Sequence, residues 1–167
     1  TFPVAPPMRV EEPAAVKTSP SMGSKCSLAS MRVGLGYDIH AFDPGRTLVL
    51  GGVKIEGAWG LKGHSDADVL LHAVGDALLG AAALGDLGEH FPDTDPLWKD
   101  VPSAVILAEI VVKVRARGFV PANVDVNVIA ERPRLAPYRQ AIRERLGTLL
   151  GLPLECVSVK ARTNEGL

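Results

Sequence analysis

The stretch VGLGYDIHAF, residues 33–42, places an acid and a histidine two residues apart in an otherwise apolar run. Alternate side chains of an extended chain point to the same side, so Asp38 and His40 can reach one ion. A third candidate ligand, His72, lies in a later helix-like segment. One carboxylate and two imidazoles leave a tetrahedral zinc with one open position, as in catalytic sites, and the set also suits non-haem iron. The residue types predict a metal centre without deciding the metal.

A stripe of polar residues runs along the helix-like segment that carries the third ligand. Asp68, His72 and Asp76 are four residues apart, so they share one helical face, while their neighbours are mostly leucine, valine and alanine. Such a stripe is commonly a solvated face. Because little else on this helix is polar, the alternative is that the two aspartates orient His72 or contact a neighbouring chain.

Other catalytic motifs are incomplete in this chain. Gly34 and Gly36 begin a dinucleotide-binding pattern, but Ile39 occupies the position of its third glycine. The sequence contains neither a Walker phosphate loop nor a Gly-x-Ser-x-Gly elbow. His64 and Ser65 are adjacent, and adjacent residues rarely act as base and nucleophile.

Composition limits the class of protein. With 167 residues, 47% of them hydrophobic and 22% charged, the chain is long enough for one globular domain with a buried core. A net charge of −1 argues against a nucleic-acid-binding protein. No apolar run approaches the roughly 18 residues of a membrane span. Cys26 and Cys156 form no disulfide or metal pattern, which favours a reducing compartment.

The first thirty residues differ from the rest of the chain. Residues 1–30 are rich in proline, serine and alanine and show no sustained periodicity. We expect a disordered leader or an added segment there, because such a composition offers too little apolar surface to offset the entropy of ordering. Residues 31–167 form the predicted domain.

Strand-like and helix-like segments alternate through this domain. The pattern predicts a strand at 31–39, a hairpin at 47–55 about Gly51 and Gly52, and a helix at 67–84. We expect Ser65 or Asp66 to cap that helix. A proline- and aspartate-rich loop at 89–102 and a second helix at 103–117 follow.

The last third of the domain repeats the alternation. Val124, Val126 and Val128 predict a half-buried strand, and Val157 and Val159 predict another. Between them an apolar stripe predicts a helix that ends at Gly151; its members are Tyr138, Ile142, Leu146 and Leu149. The predicted fold class is α/β, an α+β sandwich with one mixed sheet covered by helices.

Several segments together are familiar. MRVGLGYDIHAF, LGGVKI, GHSDADVLLHAVGDALLGAAALGDLGEHFPDTDP, NVDVNVIAERPRLAP and VSVKARTNEGL closely resemble the 2-C-methyl-D-erythritol 2,4-cyclodiphosphate synthase family. The resemblance runs over residues 31–167 and keeps the order of the motifs. It implies a phosphorus–oxygen lyase of non-mevalonate isoprenoid synthesis. Such enzymes convert 4-diphosphocytidyl-2-C-methyl-D-erythritol 2-phosphate into a cyclic diphosphate and CMP.

The resemblance also implies an assembly, cofactors and a location. Members of the family are homotrimers with active sites between subunits, and each site uses zinc and a magnesium or manganese ion. The implied location is the bacterial cytoplasm, with the plastid stroma as the alternative. Neither nucleic acid nor a membrane is an expected partner.

Site residues follow from the resemblance position by position. Asp38, His40 and His72 match the zinc ligands, and Glu165 matches the ligand of the second metal. His64 and Thr163 match the catalytic residues that stabilise the transition state. The matching substrate-binding residues are Ser65, Asp86, Leu87, Gly88, Phe91, Pro92, Asp93, Thr94, Asp95, Ala130, Glu131, Arg132, Pro133, Arg134, Leu135, Ala136, Arg162 and Asn164.

Three departures from the family pattern leave alternatives open. Leu35 stands where many members carry histidine, and Arg162 replaces a common threonine beside the expected phosphates. Members of the family also continue beyond the position of Leu167 with a further strand. If part of the site is absent, a catalytically impaired trimeric protein that binds a nucleotide or metal is the alternative. A non-haem iron enzyme is a second alternative, although it predicts a mainly β architecture.

Overall fold

The computed structural model describes residues 31–166; the predicted leader, residues 1–30, and Leu167 lie outside the described residues. Its helices and strands alternate, as the sequence predicts. They are β1 (Phe42–Leu50), β2 (Val53–Leu61), α1 (Val69–Ala82), α2 (Leu87–His90), α3 (Ser103–Ala116), β3 (Val124–Ile129), α4 (Arg139–Leu150) and β4 (Val157–Arg162), with 3-10 turns at Pro96–Trp98 and Leu154–Cys156. This is the predicted α+β class.

The predicted hairpin is present and is longer than expected. β1 and β2 pair antiparallel, and Gly51 and Gly52 form the turn with φ values of 62° and 74°. A two-residue turn with two positive φ angles matches the twist of the strands and favours glycine. Leu48, Leu50 and Ile55 project from the hairpin into the main core.

The two predicted strands of the last third pair in parallel. Val124 lies opposite Val157 and Ile129 opposite Arg162, with α4 as the crossover between the strands. A parallel pair requires such a crossover. α4 ends at Gly151, which takes a φ of 69°, as the sequence predicts.

The long helices α1 and α3 pack against each other and form a second core with Phe91. The start of α1 differs from the prediction. Asp68, rather than Ser65 or Asp66, is the N-cap, because Ala67 has a φ of 57° that cannot continue into a right-handed helix. α3 begins at Ser103 as predicted.

The predicted strand at 31–39 is wrong in this structure. Residues 31–41 are assigned to no strand. They lie along α1 instead: a β-carbon added to Gly34 or Gly36 would lie 1.8 Å from the carbonyl oxygen of Ala77 or Ala73. This close approach leaves alternate side chains outside, with Val33 90% exposed.

The expectation of one mixed sheet also needs correction. The described residues contain two separate two-stranded sheets, β1–β2 and β3–β4. Residues 31–39, predicted as a further strand, add to neither of them. Among the residues that the structure describes, no helix combines the length and apolarity that a membrane span requires.

Candidate metal centre and active site

Three predicted metal ligands from two separate segments meet at one point. Asp38 and His40 belong to the extended segment beside α1, and His72 lies on the first turn of α1. Asp38 Oδ2 lies 2.9 Å from His40 Nε2 and 3.1 Å from His72 Nδ1. One ligand atom from each residue lies within 4.8 Å of the other two. We call these residues the metal triad.

The hydrogen bonds of His40 test whether a metal fits this arrangement. His40 Nδ1 lies 2.5 Å from the carbonyl oxygen of Lys62, which can only accept, so Nδ1 carries the hydrogen. In the neutral ring, Nε2 then presents a bare lone pair to the carboxylate of Asp38. Two electron-rich atoms at 2.9 Å require a cation between them, either a proton or a metal ion. The donor set therefore fits a divalent metal such as zinc.

The electrostatics of Asp38 agree with a ligand role. Partial burial would by itself raise the pKa of the Asp38 carboxyl, but the hydrogen bond to His72 and the charges of His40 and His72 outweigh it. The pKa of Asp38 is therefore lowered from its ordinary value. The charged form, which binds metals, is favoured.

The loop before α1 holds the predicted His64 and Ser65. The guanidinium of Arg46 donates to the carbonyl oxygen of Gly63 at 2.5 Å and to that of Ser65, which fixes the loop against β1. Ser65 is 6% exposed and its hydroxyl accepts from the backbone N–H of Ala67. Among the described residues, His64 Nε2 is buried without a hydrogen-bond partner, so it remains available to a ligand.

A cavity of about 570 Å³ opens beside the metal triad. Predicted residues form much of its wall. They are Asp38, His40, His64, Ser65, His72, Leu87, Gly88, Phe91, Pro92 and Asp93, joined by Gly63, Asp76, Trp98 and Ile106. Three carboxylates line it, and of the described residues no lysine or arginine does.

Three predicted substrate contacts between Asp86 and Asp95 lie outside this wall. Asp86 caps α2 by accepting from the backbone N–H of Glu89. Asp95 caps the following 3-10 turn by accepting from that of Leu97. Thr94 belongs to the same loop. In this structure the two aspartates hold the loop in shape, as turn aspartates commonly do.

The two aspartates of the polar stripe on α1, Asp68 and Asp76, accept hydrogen bonds from backbone N–H groups and do not contact the ring of His72. Asp68 accepts from the backbone N–H groups of Gly51, Gly52 and Leu71, and thus joins the hairpin turn to the start of α1. Asp76 accepts from the backbone N–H of Leu87. Neither carboxylate orients the ring of His72, so that hypothesis is wrong in the described structure. Burial raises the pKa of Asp68 to about 6, against the lowering by its backbone hydrogen bonds.

The remaining predicted residues lie on two largely exposed segments, 130–136 and 162–166, which we call the terminal loops; Leu135 is the exception and is buried in the main core. They follow the adjacent ends of β3 and β4. The carboxylate of Glu131 joins them by accepting from the backbone N–H groups of Asn164 and Gly166 at 2.9 and 3.2 Å. The Thr163 hydroxyl donates to Glu165 at 2.9 Å. Neither loop lines the described cavity.

Two residues that position the site gave no signal in the sequence. Ser103 lies 31 residues after His72, yet its hydroxyl is 2.9 Å from His72 Nε2 because α1 and α3 pack together. Arg46 lies in β1, at an irregularity in its pairing with β2. A lone serine at a helix start and a lone arginine in a strand carry no local pattern that marks them.

An α+β domain in which Asp38, His40 and His72 could hold a metal ion beside an acidic cavity has, as a class, the features of an enzyme. Residues 31–167 match the model of the YgbB family, and the chain belongs to that family.

Named relatives agree with this assignment. The chain is 58% identical over 137 residues to the 2-C-methyl-D-erythritol 2,4-cyclodiphosphate synthase of Gloeobacter violaceus, covering 82% of this chain and 84% of that protein. It is 56% identical to that of Salinibacter ruber, covering 82% and 87%.

Solved structures show the same likeness. A 2C-methyl-D-erythritol-2,4-cyclodiphosphate synthase in a CDP-bound form is 41% identical, with a TM-score of 0.77, and the match covers 81% of this chain and 91% of that one. The bifunctional IspDF of Campylobacter jejuni is 44% identical with a TM-score of 0.78, covering 81% and 37%.

Proposed function

We propose that this chain converts 4-diphosphocytidyl-2-C-methyl-D-erythritol 2-phosphate into 2-C-methyl-D-erythritol 2,4-cyclodiphosphate and CMP. It is thus a phosphorus–oxygen lyase of the non-mevalonate route. The observation that carries the proposal is the convergence of Asp38, His40 and His72 on one point of an acidic cavity. The relatives named as synthases of this cyclic diphosphate support it.

The charge of the cavity supports a metal-dependent reaction of a phosphorylated substrate. Asp38, Asp76 and Asp93 line the cavity, and its described wall offers no lysine or arginine to offset them. A unit charge pair 4 Å apart costs about 4 kcal/mol at an effective dielectric of 20. A substrate with three phosphate groups would be repelled by these carboxylates, so cations must accompany it.

The chain requires no nucleophilic side chain for this reaction. An oxygen of the 2-phosphate attacks the diphosphate phosphorus next to methylerythritol, the bond from that phosphorus to the bridging oxygen breaks, and CMP leaves with that oxygen. The substrate supplies both the nucleophile and the leaving group. The main contributions of the protein are therefore to hold the two phosphate groups together and to stabilise the developing charge.

Zinc on the metal triad would supply Lewis acidity and charge neutralisation, and magnesium or manganese at Glu165 would do so for the diphosphate. His64, whose Nε2 is free of protein partners in the described structure, would bind the reacting phosphate. Thr163 would stabilise its charge from the other side. The apolar wall with Phe91 and Trp98 would enclose methylerythritol.

We further propose a homotrimer with active sites between neighbouring chains. The support is that the two groups of predicted residues lie apart on one chain: the terminal loops do not line the described cavity beside the metal triad. A neighbouring chain could bring its terminal loops to that cavity. Alternate exposed apolar side chains along residues 31–39 offer surface for such contact. A location in the bacterial cytosol is part of the proposal, since the named relatives are bacterial.

The experiment is release of CMP from the diphosphocytidyl substrate by metal-loaded protein. We expect cyclic diphosphate and CMP in equal amounts, and a loss of at least about a thousandfold in the His72→Ala variant, since a Lewis-acid metal supplies several kcal/mol. Asp125→Ala, a change of an exposed acid on β3 outside the cavity, is the matched control and should keep its rate. A folded protein with bound zinc that releases no CMP would contradict the proposal. Iron in place of zinc in metal analysis would favour an oxygenase.

A further inference from the structure

We infer that Ser103 is a positioning residue of the metal site, acting with Asp66 to fix the ring of His72 so that Nδ1 binds the metal. The inference deepens the proposed function and rests on it. Ser103 is 1% exposed and is the first residue of α3, whereas His72 lies on α1. Its hydroxyl contacts three polar side chains within hydrogen-bond distance.

The direction of each hydrogen bond follows from what each atom can do. Ser103 Oγ lies 2.5 Å from Asp66 Oδ1 and donates its single hydrogen there. It can then only accept from His72 Nε2, at 2.9 Å. His72 Nε2 must therefore carry a hydrogen. In the neutral ring this leaves the lone pair on Nδ1, which faces Asp38 Oδ2 at 3.1 Å.

Ser65 completes the network without conflict. Its oxygen accepts from the backbone N–H of Ala67 at 3.2 Å and lies 3.2 Å from His72 Nε2, from which it can also accept. It lies 3.3 Å from Ser103 Oγ, to which it can donate. Each hydroxyl hydrogen in the network then has an acceptor. Asp66 Oδ1 also accepts from the backbone N–H of Asp68 at 3.2 Å, so the end of the chain of hydrogen bonds is tied to the N-cap of α1.

The two histidines of the metal triad are thus oriented in different ways. His40 donates directly to the carbonyl oxygen of Lys62, whereas His72 donates to a hydroxyl that is itself bonded to a carboxylate. A carboxylate behind a ligating histidine, here through one hydroxyl, raises the basicity of the ligand and holds its orientation. Removal of such outer partners costs about 10–100-fold in metal affinity.

The test measures zinc affinity by competition with a chelator in the unaltered protein and in Ser103→Ala. We expect Ser103→Ala to bind zinc about 10–100-fold more weakly. Ala104→Gly is the matched control, because it weakens the same helix start, by about 1 kcal/mol, without removing any contact to His72. Its zinc affinity should stay within about threefold. Ser103→Thr, which keeps the hydroxyl, should restore most of the affinity.

A spectroscopic readout keeps the inference falsifiable if a variant does not fold. In the unaltered protein loaded with cadmium-113 and labelled with nitrogen-15 at histidine, we expect metal–nitrogen coupling at Nδ1 of His72. A slowly exchanging hydrogen should be present on Nε2. Coupling at Nε2, or equal zinc affinity in Ser103→Ala and the unaltered protein, would overturn the inference.

Failure of the inference is distinguishable from failure of the proposed function. If the unaltered protein binds no zinc, or if His72→Ala binds zinc as tightly, the assignment of the metal triad is wrong. Both the proposed function and the role of Ser103 are then contradicted. If His72→Ala loses zinc while Ser103→Ala keeps it, only the role of Ser103 falls. An equal loss in Ala104→Gly would also overturn it, since helix stability would then explain the effect.

Discussion

The metal triad and the terminal loops differ in how the chain supports them. Around the triad, His72 and Asp38 have side chains 13% and 25% exposed, and hydrogen bonds to Lys62 and Ser103 fix both imidazoles. In the terminal loops Thr163, Asn164 and Glu165 are all exposed. The two loops are joined by the Glu131 carboxylate and by the backbone N–H of Ala130, which donates to the carbonyl oxygen of Arg162. The three predicted metal ligands converge within one chain, whereas Thr163, Asn164 and Glu165 of the terminal loops are exposed to solvent. Under our proposal, metal binding would belong to the single chain, and turnover would need a second one.

The largest effect on stability that we predict concerns Asp68, whose buried carboxylate joins the hairpin turn to α1. Its pKa is raised from 3.8 to about 6, so the folded protein binds more protons than the unfolded chain between these values. Its contribution to stability is present below about pH 4 and is lost as the pH rises through about 6. The loss amounts to about 3 kcal/mol.

The measurement is urea unfolding of the unaltered protein and Asp68→Asn at several pH values from 4 to 7.5. The difference in free energy of unfolding between the two should shift against the unaltered protein as the pH rises. Asp125→Asn is the control from an exposed position. The hydrogen bond from Lys160 lowers the pKa of Asp125, so its small contribution should instead be lost as the pH falls. A difference for Asp68→Asn that does not change with pH would contradict our account of its burial.

A second prediction tests whether Arg46 stabilises the loop beside the metal triad that carries His64 and Ser65. Arg46→Ala removes the hydrogen bonds to the carbonyl oxygens of Gly63 and Ser65. Because hydrogen bonds from charged groups are lost, we expect the free energy of unfolding to fall by about 2 kcal/mol. The rate of CMP release should also fall as His64 loses its position. Arg139→Ala, an exposed arginine at the start of α4, is the control; an equal loss of stability in that variant would argue against a specific role for Arg46.

A third prediction tests the terminal loops. Glu131→Ala leaves the backbone N–H groups of Asn164 and Gly166 without their acceptor. Since both are exposed to water, stability should change by less than about 0.5 kcal/mol. CMP release should fall about tenfold as Thr163 and Glu165 lose their arrangement, a loss of about 1.4 kcal/mol in transition-state binding. Zinc content should be unchanged, and loss of zinc in this variant would show that the two regions are not independent.

Local patterns predicted the parts of the fold and site that depend on neighbours in sequence. Alternation placed Asp38 and His40 together, helical spacing placed His72, and Gly51 with Gly52 marked the hairpin. What depends on packing was not predictable. Ala67 takes a positive φ that alanine does not favour, so the helix starts later than its pattern indicates. The apolar alternation of residues 31–39 indicates a strand, but a strand needs a partner, and no local pattern supplies one.

In the site, too, the contacts that depend on packing could not be predicted from local sequence patterns. Ser103 meets His72 only because two helices pack, and Asp76 faces α2 rather than the ring of His72. The terminal loops were predicted to belong to the site only because the chain resembles a family. No spacing of residues within these loops connects them with the metal triad. The structure shows that Glu131 joins them to each other, whereas their approach to the metal triad of a second chain belongs to our proposal.

Anomalous X-ray diffraction at the zinc absorption edge, on crystals grown with zinc, tests the central claim most directly. The account predicts one strong peak about 2.0–2.2 Å from Asp38 Oδ2, His40 Nε2 and His72 Nδ1. A folded chain in excess zinc with no peak among these three atoms would contradict it.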